Sequence, residues 1–124
     1  MIYIALNAVP ILVAALVSVA LAFVWYRNPV AKTQLITLFL AQVWLAAILA
    51  GALILAPPRG GVWTMTLGSA AVIWIGFVLP VIVGSYRLRD IAWRTVVTDA
   101  GYWLVAMLAQ AAIMRLIGVV PPPV

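Results

Sequence analysis

Four long runs of apolar residues, separated by short polar interruptions, dominate the chain. They extend from about Tyr3 to Trp25, Gln34 to Ala56, Val62 to Ser85 and Ala100 to Val120. A helix needs roughly 20 apolar residues to cross a hydrocarbon layer about 30 Å thick, and each run is near that length. Barrel strands would instead alternate with period two, in about eight segments or more. The pattern predicts an all-α membrane protein, one domain over residues 1–124, with four transmembrane helices. Pro57-Pro58 and Pro121-Pro122-Pro123 close the second and fourth runs, because proline lacks the amide proton a helix requires. Pro80, inside the third run, frees the Gly76 carbonyl and predicts a kink there. Pro10 falls early in the first run, where the cost is smaller. That run is too long for a signal-peptide core and no basic region precedes it, so it reads as a retained helix.

The interruptions are short except between the third and fourth runs, Tyr86 to Asp99. There Leu88, Ile91 and Ala92 fall at helical spacing, with Arg87 and Arg94 on the other side. A short amphipathic helix lying at the headgroups has this pattern. Asp90 and Arg94 are spaced for an i,i+4 pair, and Thr98 or Asp99 is placed to cap the fourth helix. Arg27, Lys32, Arg87, Arg89 and Arg94 lie in the first and third loops, against Arg59 and Arg115 on the opposite side. Cations favour the cytoplasmic face, so both termini are expected outside. Trp25, Tyr26, Trp63, Tyr86, Trp93, Tyr102 and Trp103 are expected near the interfaces.

Composition narrows the chemistry. The chain is 69% hydrophobic and 7% charged, with mean hydropathy +1.29, whereas about a quarter of an ordinary soluble chain is charged. The net charge of +5 is scattered singly beside apolar runs. It reads as membrane anchoring and contact with lipid headgroups or partners, with no nucleic-acid surface. Cysteine and histidine are absent. That removes thiol chemistry and the usual general base, metal ligand and haem ligand. No cofactor, metal site or catalytic residue is expected. Asp90 and Asp99 read as capping and pairing groups rather than a catalytic couple, and the serines lack a basic partner.

Helices in lipid associate through close packing and interhelical hydrogen bonds. Candidate contact faces are Ala14, Ser18 and Ala22 in the first helix. Ala46, Ala47, Ala50 and Gly51 offer one in the second, and Gly68, Gly76 and Gly84 in the third. Gln42 and Gln110 lie near mid-helix, where an amide must find a partner. They read as intramembrane polar packing, or else as polar steps on a permeation route. Arg115, the only charge inside a run, either snorkels to the outer headgroups or meets a carboxylate or phosphate.

Trp25-Tyr26, Trp74-Ile75-Gly76-Phe77, and Trp93 followed by Gly101-Tyr102-Trp103-Leu104-Val105 resemble the prokaryotic membrane family called domain of unknown function 1761. The likeness covers nearly the whole chain. It implies a small four-helix protein of the bacterial inner membrane, and no reaction or substrate.

The expected function is therefore non-catalytic: an accessory or scaffold subunit packed against other integral membrane subunits or itself, an energy-transducing complex being one host. The alternative is a small transporter or channel acting as an oligomer, lined by Gln42, Gln110, Thr37 and Thr66.

Overall fold

The computed structural model describes residues 2–26, 32–55 and 61–119. They form α1 (Ile2–Leu6), α2 (Ala8–Tyr26), α3 (Lys32–Leu55), α4 (Val62–Ile73), a π-helical turn at Trp74–Val78, α5 (Leu79–Leu88) and α6 (Trp93–Ile117). There is no strand among the described residues. Four helical stretches are long and apolar enough to cross a membrane: Ala8–Tyr26, Thr33–Leu55, Val62–Leu88 and Trp93–Ile117. They are called here the first to fourth spans.

Proline explains both irregularities within spans. Pro10 cannot donate to Leu6, so α1 passes into α2 through a turn at Asn7. The ladder continues around it, from the Asn7 amide to Tyr3 O at 3.0 Å and from the Ile11 amide to Asn7 O at 3.1 Å. In the third span, the expected disturbance at Pro80 takes the form of a π-helical turn just before the proline. The Leu79 amide donates to Trp74 O, five residues back. A widened turn absorbs the proline ring without ending the helix.

The third connection differs from the sequence expectation. No separate interfacial helix lies between the third and fourth spans. Residues 86–88 continue α5, residues 89–92 reverse the chain, and α6 starts at Trp93, seven residues before Ala100. The reversal is tied by the Ile91 amide to Tyr86 O at 2.9 Å and by Arg87 Nη1 to Ile91 O at 2.7 Å. Asp90 turns the corner at φ +57°, a left-handed conformation that aspartate tolerates better than most residues. It pairs with Arg87 at 4.0 Å rather than with Arg94. Ala92 precedes α6 and no side chain caps it, so neither Thr98 nor Asp99 acts as a cap. The stops at Pro57-Pro58 and Pro121–Pro123, the Pro57–Gly61 turn except Gly61, and Arg27–Ala31 lie outside the described residues.

The fourth span is the hub. It packs extensively on the first and third and touches the second, while the first also packs tightly on the second. The third span leans on the fourth and only lightly on the second. Small residues allow the close approaches: Ala14, Ser18, Ala46, Ala50, Ala106 and Ala111 are fully buried. Gly101 lies under the Trp25 ring, where an added Cβ would sit 3.3 Å from Trp25 Cζ2. The glycine face expected on the third span is not used. Nothing among the described residues lies within 4 Å of a Cβ built at Gly68, Gly76 or Gly84. Only 11% of this span's most apolar stretch is buried, against 33%, 33% and 39% for the other three.

Two substitutions check this division between crowded and open faces. Ala50→Leu forces a larger side chain into a fully buried position and should cost about 1–3 kcal/mol. Gly84→Ala meets open space and should be neutral or stabilising by up to ~1 kcal/mol. Thermal unfolding of both variants in mild detergent reads the difference.

Candidate functional site

Four polar side chains inside the bundle converge on one ring. Tyr102 on α6 donates its hydroxyl to Ser18 O on α2 at 2.7 Å and accepts from Gln42 Nε2 on α3 at 2.9 Å. Gln42 Oε1 accepts from Gln110 Nε2 at 2.6 Å. Gln110 Nε2 also donates to Ser18 Oγ at 2.8 Å, and Ser18 Oγ passes its own proton to Ala14 O at 3.0 Å. All four side chains are at most 1% exposed. Each hydroxyl proton is used once, and first, second and fourth spans are stitched together. The ring leaves one acceptor over: among the described residues, Gln110 Oε1 is the one buried side-chain oxygen or nitrogen without a hydrogen bond.

Tyr102 was expected at an interface and is instead the buried centre of this ring. The reason is the early start of α6, which places Tyr102 more than two turns inside the helix. Three residues of the aromatic cluster pack around it: Trp25, Tyr26 and Trp103, with centroids 6.4, 5.5 and 5.4 Å from its ring. A sequence signal existed. Tyr102, Ala106, Gln110 and Met114 recur every four residues and all are buried, one continuous stripe of α6.

A second polar centre lies where α2 ends, α5 ends and α6 begins. Asp99 accepts from Tyr26 at Oδ1 and from Tyr86 at Oδ2, both at 2.7 Å. Trp25 Nε1 donates to Thr98 O at 3.1 Å, and Trp74 Nε1 to Ala100 O at 2.9 Å. One carboxylate on the fourth span thus holds the first and third spans, a bridging role that sequence spacing did not reveal.

The cations fall into two groups. Arg115 neither snorkels alone nor faces a carboxylate among the described residues: its Nε donates to Thr66 Oγ1 on α4 at 2.8 Å. Thr66 is fully buried and donates to Val62 O at 2.7 Å. At the other end, Arg87 stacks over Trp93 at 4.9 Å and Arg89 over Tyr86 at 5.4 Å, while Arg94 is exposed. Lys32 opens α3; its side chain, and all of Arg27, lie outside the described residues. The four residues considered for a permeation route are dispersed. Gln42 and Gln110 sit in the ring, Thr66 meets Arg115, and Thr37 is exposed with its hydroxyl on Thr33 O at 2.9 Å.

The bonds of the ring tie α2, α3 and α6 to one another. Intramembrane hydrogen bonds are worth about 0.6 kcal/mol each on average, with a maximum near 1.7. A buried amide left unpaired costs about 1–3 kcal/mol. Gln42→Leu and Gln110→Leu should therefore each destabilise by about 1–3 kcal/mol. The double variant should lose less than their sum, by roughly 0.5–2 kcal/mol. A double-mutant cycle of unfolding in detergent measures this coupling, and strict additivity would dissolve the ring as a unit.

Against known proteins, no family model, no curated protein and no solved structure matches this chain.

Proposed function

We propose that this chain is a non-catalytic accessory or scaffold subunit of a larger assembly in a bacterial inner membrane. The observation that carries the reading is the third span. It is the least covered of the four, and its three glycines meet open space. Glycine in a membrane helix lets a neighbouring backbone approach closely, which is how helices associate where lipid offers no hydrophobic drive. The other three spans satisfy one another through the ring. The partner is another integral membrane subunit, for which an energy-transducing complex is one host, or a second copy of this chain. The short connections leave recognition to helix surfaces, to the arginine-bearing loop and to the termini.

Site-specific photocrosslinking from Phe77 and Val72, which are 72% and 69% exposed on the third span, tests this in native membranes. A discrete protein adduct is expected from these positions and none from Leu16 on α2, in a complex larger than the monomer after gentle extraction. A lone monomer at native expression, crosslinked only to lipid, overturns the subunit reading. Transport lost in the Gln42→Leu, Gln110→Leu chain with assembly intact would favour the oligomeric transporter instead.

The orientation we propose puts the Arg87–Arg94 loop in the cytoplasm and both termini outside, following the excess of cations on that side. The chain has no cysteine, so Arg59→Cys and Arg89→Cys report cleanly. An impermeant thiol reagent applied from outside should label the first and spare the second. Labelling of both from one side would dismantle the four-span topology.

A further inference from the structure

A single groove of about 310 Å³ lies between the third and fourth spans, on the side of the reversal at residues 89–92. Trp93, Val97 and Leu104 line it from α6, and Trp74, Leu79 and Val83 from the third span. Its floor is Val96 and Ala100, buried against Ile82. No charged, hydroxyl or amide side chain lines it. At the inner end the Trp74 indole spends its N–H on Ala100 O at 2.9 Å. Trp93 and Val97 are exposed, so the groove opens outward, and in a membrane what lies outside is acyl chain.

Its dimensions fit a chain and exclude a helix. From Trp93 to Leu104 it follows eleven residues of rise along α6, about 16 Å. That is close to the ~15 Å hydrocarbon depth of one leaflet. Spread over this length, its volume of about 310 Å³ gives a cross-section of roughly 20 Å². A helix 10–12 Å across needs about 80–110 Å².

One end of the groove carries a cation. Trp93 forms its mouth, and the Arg87 guanidinium lies over the Trp93 ring, 4.9 Å from its centroid. Arg87 has five N–H donors, of which Nη1 is used on Ile91 O at 2.7 Å. Its ion pair with Asp90 is long, 4.0 Å, and the Asp90 side chain is almost wholly exposed. Such a pair neutralises little. Arg94, exposed one residue beyond Trp93, adds a second positive charge at this end. A guanidinium matches the geometry of a phosphate, which it can meet through two parallel hydrogen bonds.

We infer that this groove holds one acyl chain of a membrane phospholipid whose phosphate rests on Arg87. The chain lies along Trp93, Val97 and Leu104, and Trp74 stops it at the middle of the bilayer. The guanidinium selects a phosphodiester over an uncharged glyceride, and the groove fixes the depth of the chain. This inference does not rest on the subunit reading, which concerns the outer face of the third span.

Native mass spectrometry of the purified full-length chain tests it, with phosphatidylethanolamine and diacylglycerol of matched acyl chains as probes. The wild type should retain one phosphatidylethanolamine, with about ten-fold preference over diacylglycerol. Arg87→Gln should erase that preference and leave diacylglycerol retention unchanged. Val97→Trp fills the groove and should abolish retention of both lipids, whereas Val72→Phe, elsewhere on the third span, should change neither. Val97 is exposed, so this variant carries the test even where loss of Arg87 unsettles the reversal. Equal retention of the two lipids by the wild type overturns the inference. So does an unchanged preference in folded Arg87→Gln, wild-type retention in Val97→Trp, or a second protein chain that Val97→Trp releases. A lone monomer in native membranes would defeat the subunit reading and leave this result standing.

Discussion

An amide in hydrocarbon has no water to turn to, and the bundle is organised around that constraint. Gln42 and Gln110 are each fully buried, and each finds its partner on a different span. The ring they form with Ser18 and Tyr102 is possible only if first, second and fourth spans are in register with one another. Apolar packing between these helices tolerates sliding, because one alanine or leucine surface in lipid resembles the next. Hydrogen bonds of 2.6 to 2.9 Å between side chains do not. The small residues Ala14, Ala46, Ala50 and Ala106 bring the backbones close enough for these short side chains to meet.

The third span is held by other means. Arg115 reaches Thr66 near one end, Tyr86 reaches Asp99 near the other, and Trp74 donates to Ala100 O between them. All three contacts run to α6. The result is a three-helix core with a fourth helix fastened along one edge. Its π-helical turn is the local response to Pro80, and it leaves Phe77 projecting at 72% exposure. The open edge between second and third spans follows from the same arrangement.

Sequence pattern alone located the four spans to within a few residues except at the start of the fourth. Long continuous apolarity is a strong signal because bilayer thickness sets a length that chance seldom supplies. It also marked Ala14, Ser18 and Ala22 and the two glutamines as packing residues; all five are buried, and the glutamines bond to each other. It failed at Trp93 to Asp99, where Arg94 and Asp99 in the first two turns of the helix imitate a loop. With α6 begun seven residues late, Tyr102 looked like an interface aromatic and Asp99 like a cap. The partners of Asp99 were hidden for a different reason: Tyr26 lies 73 residues away and Tyr86 lies 13 away. The glycine stripe in the third span showed where a helix can approach, without showing that none of the described helices does so.

The interhelical side-chain bonds described above all run to α6, and this has a consequence for biogenesis. Synthesis delivers the spans in order, and only the fourth supplies Tyr102, Gln110, Asp99 and Arg115, all together. Until then Gln42 sits in the bilayer without its native donor and acceptor, and the phenols of Tyr26 and Tyr86 have no carboxylate to share. A chain holding only the first three spans lacks these partners, and arrival of the fourth helix joins the separate segments into a single folded body.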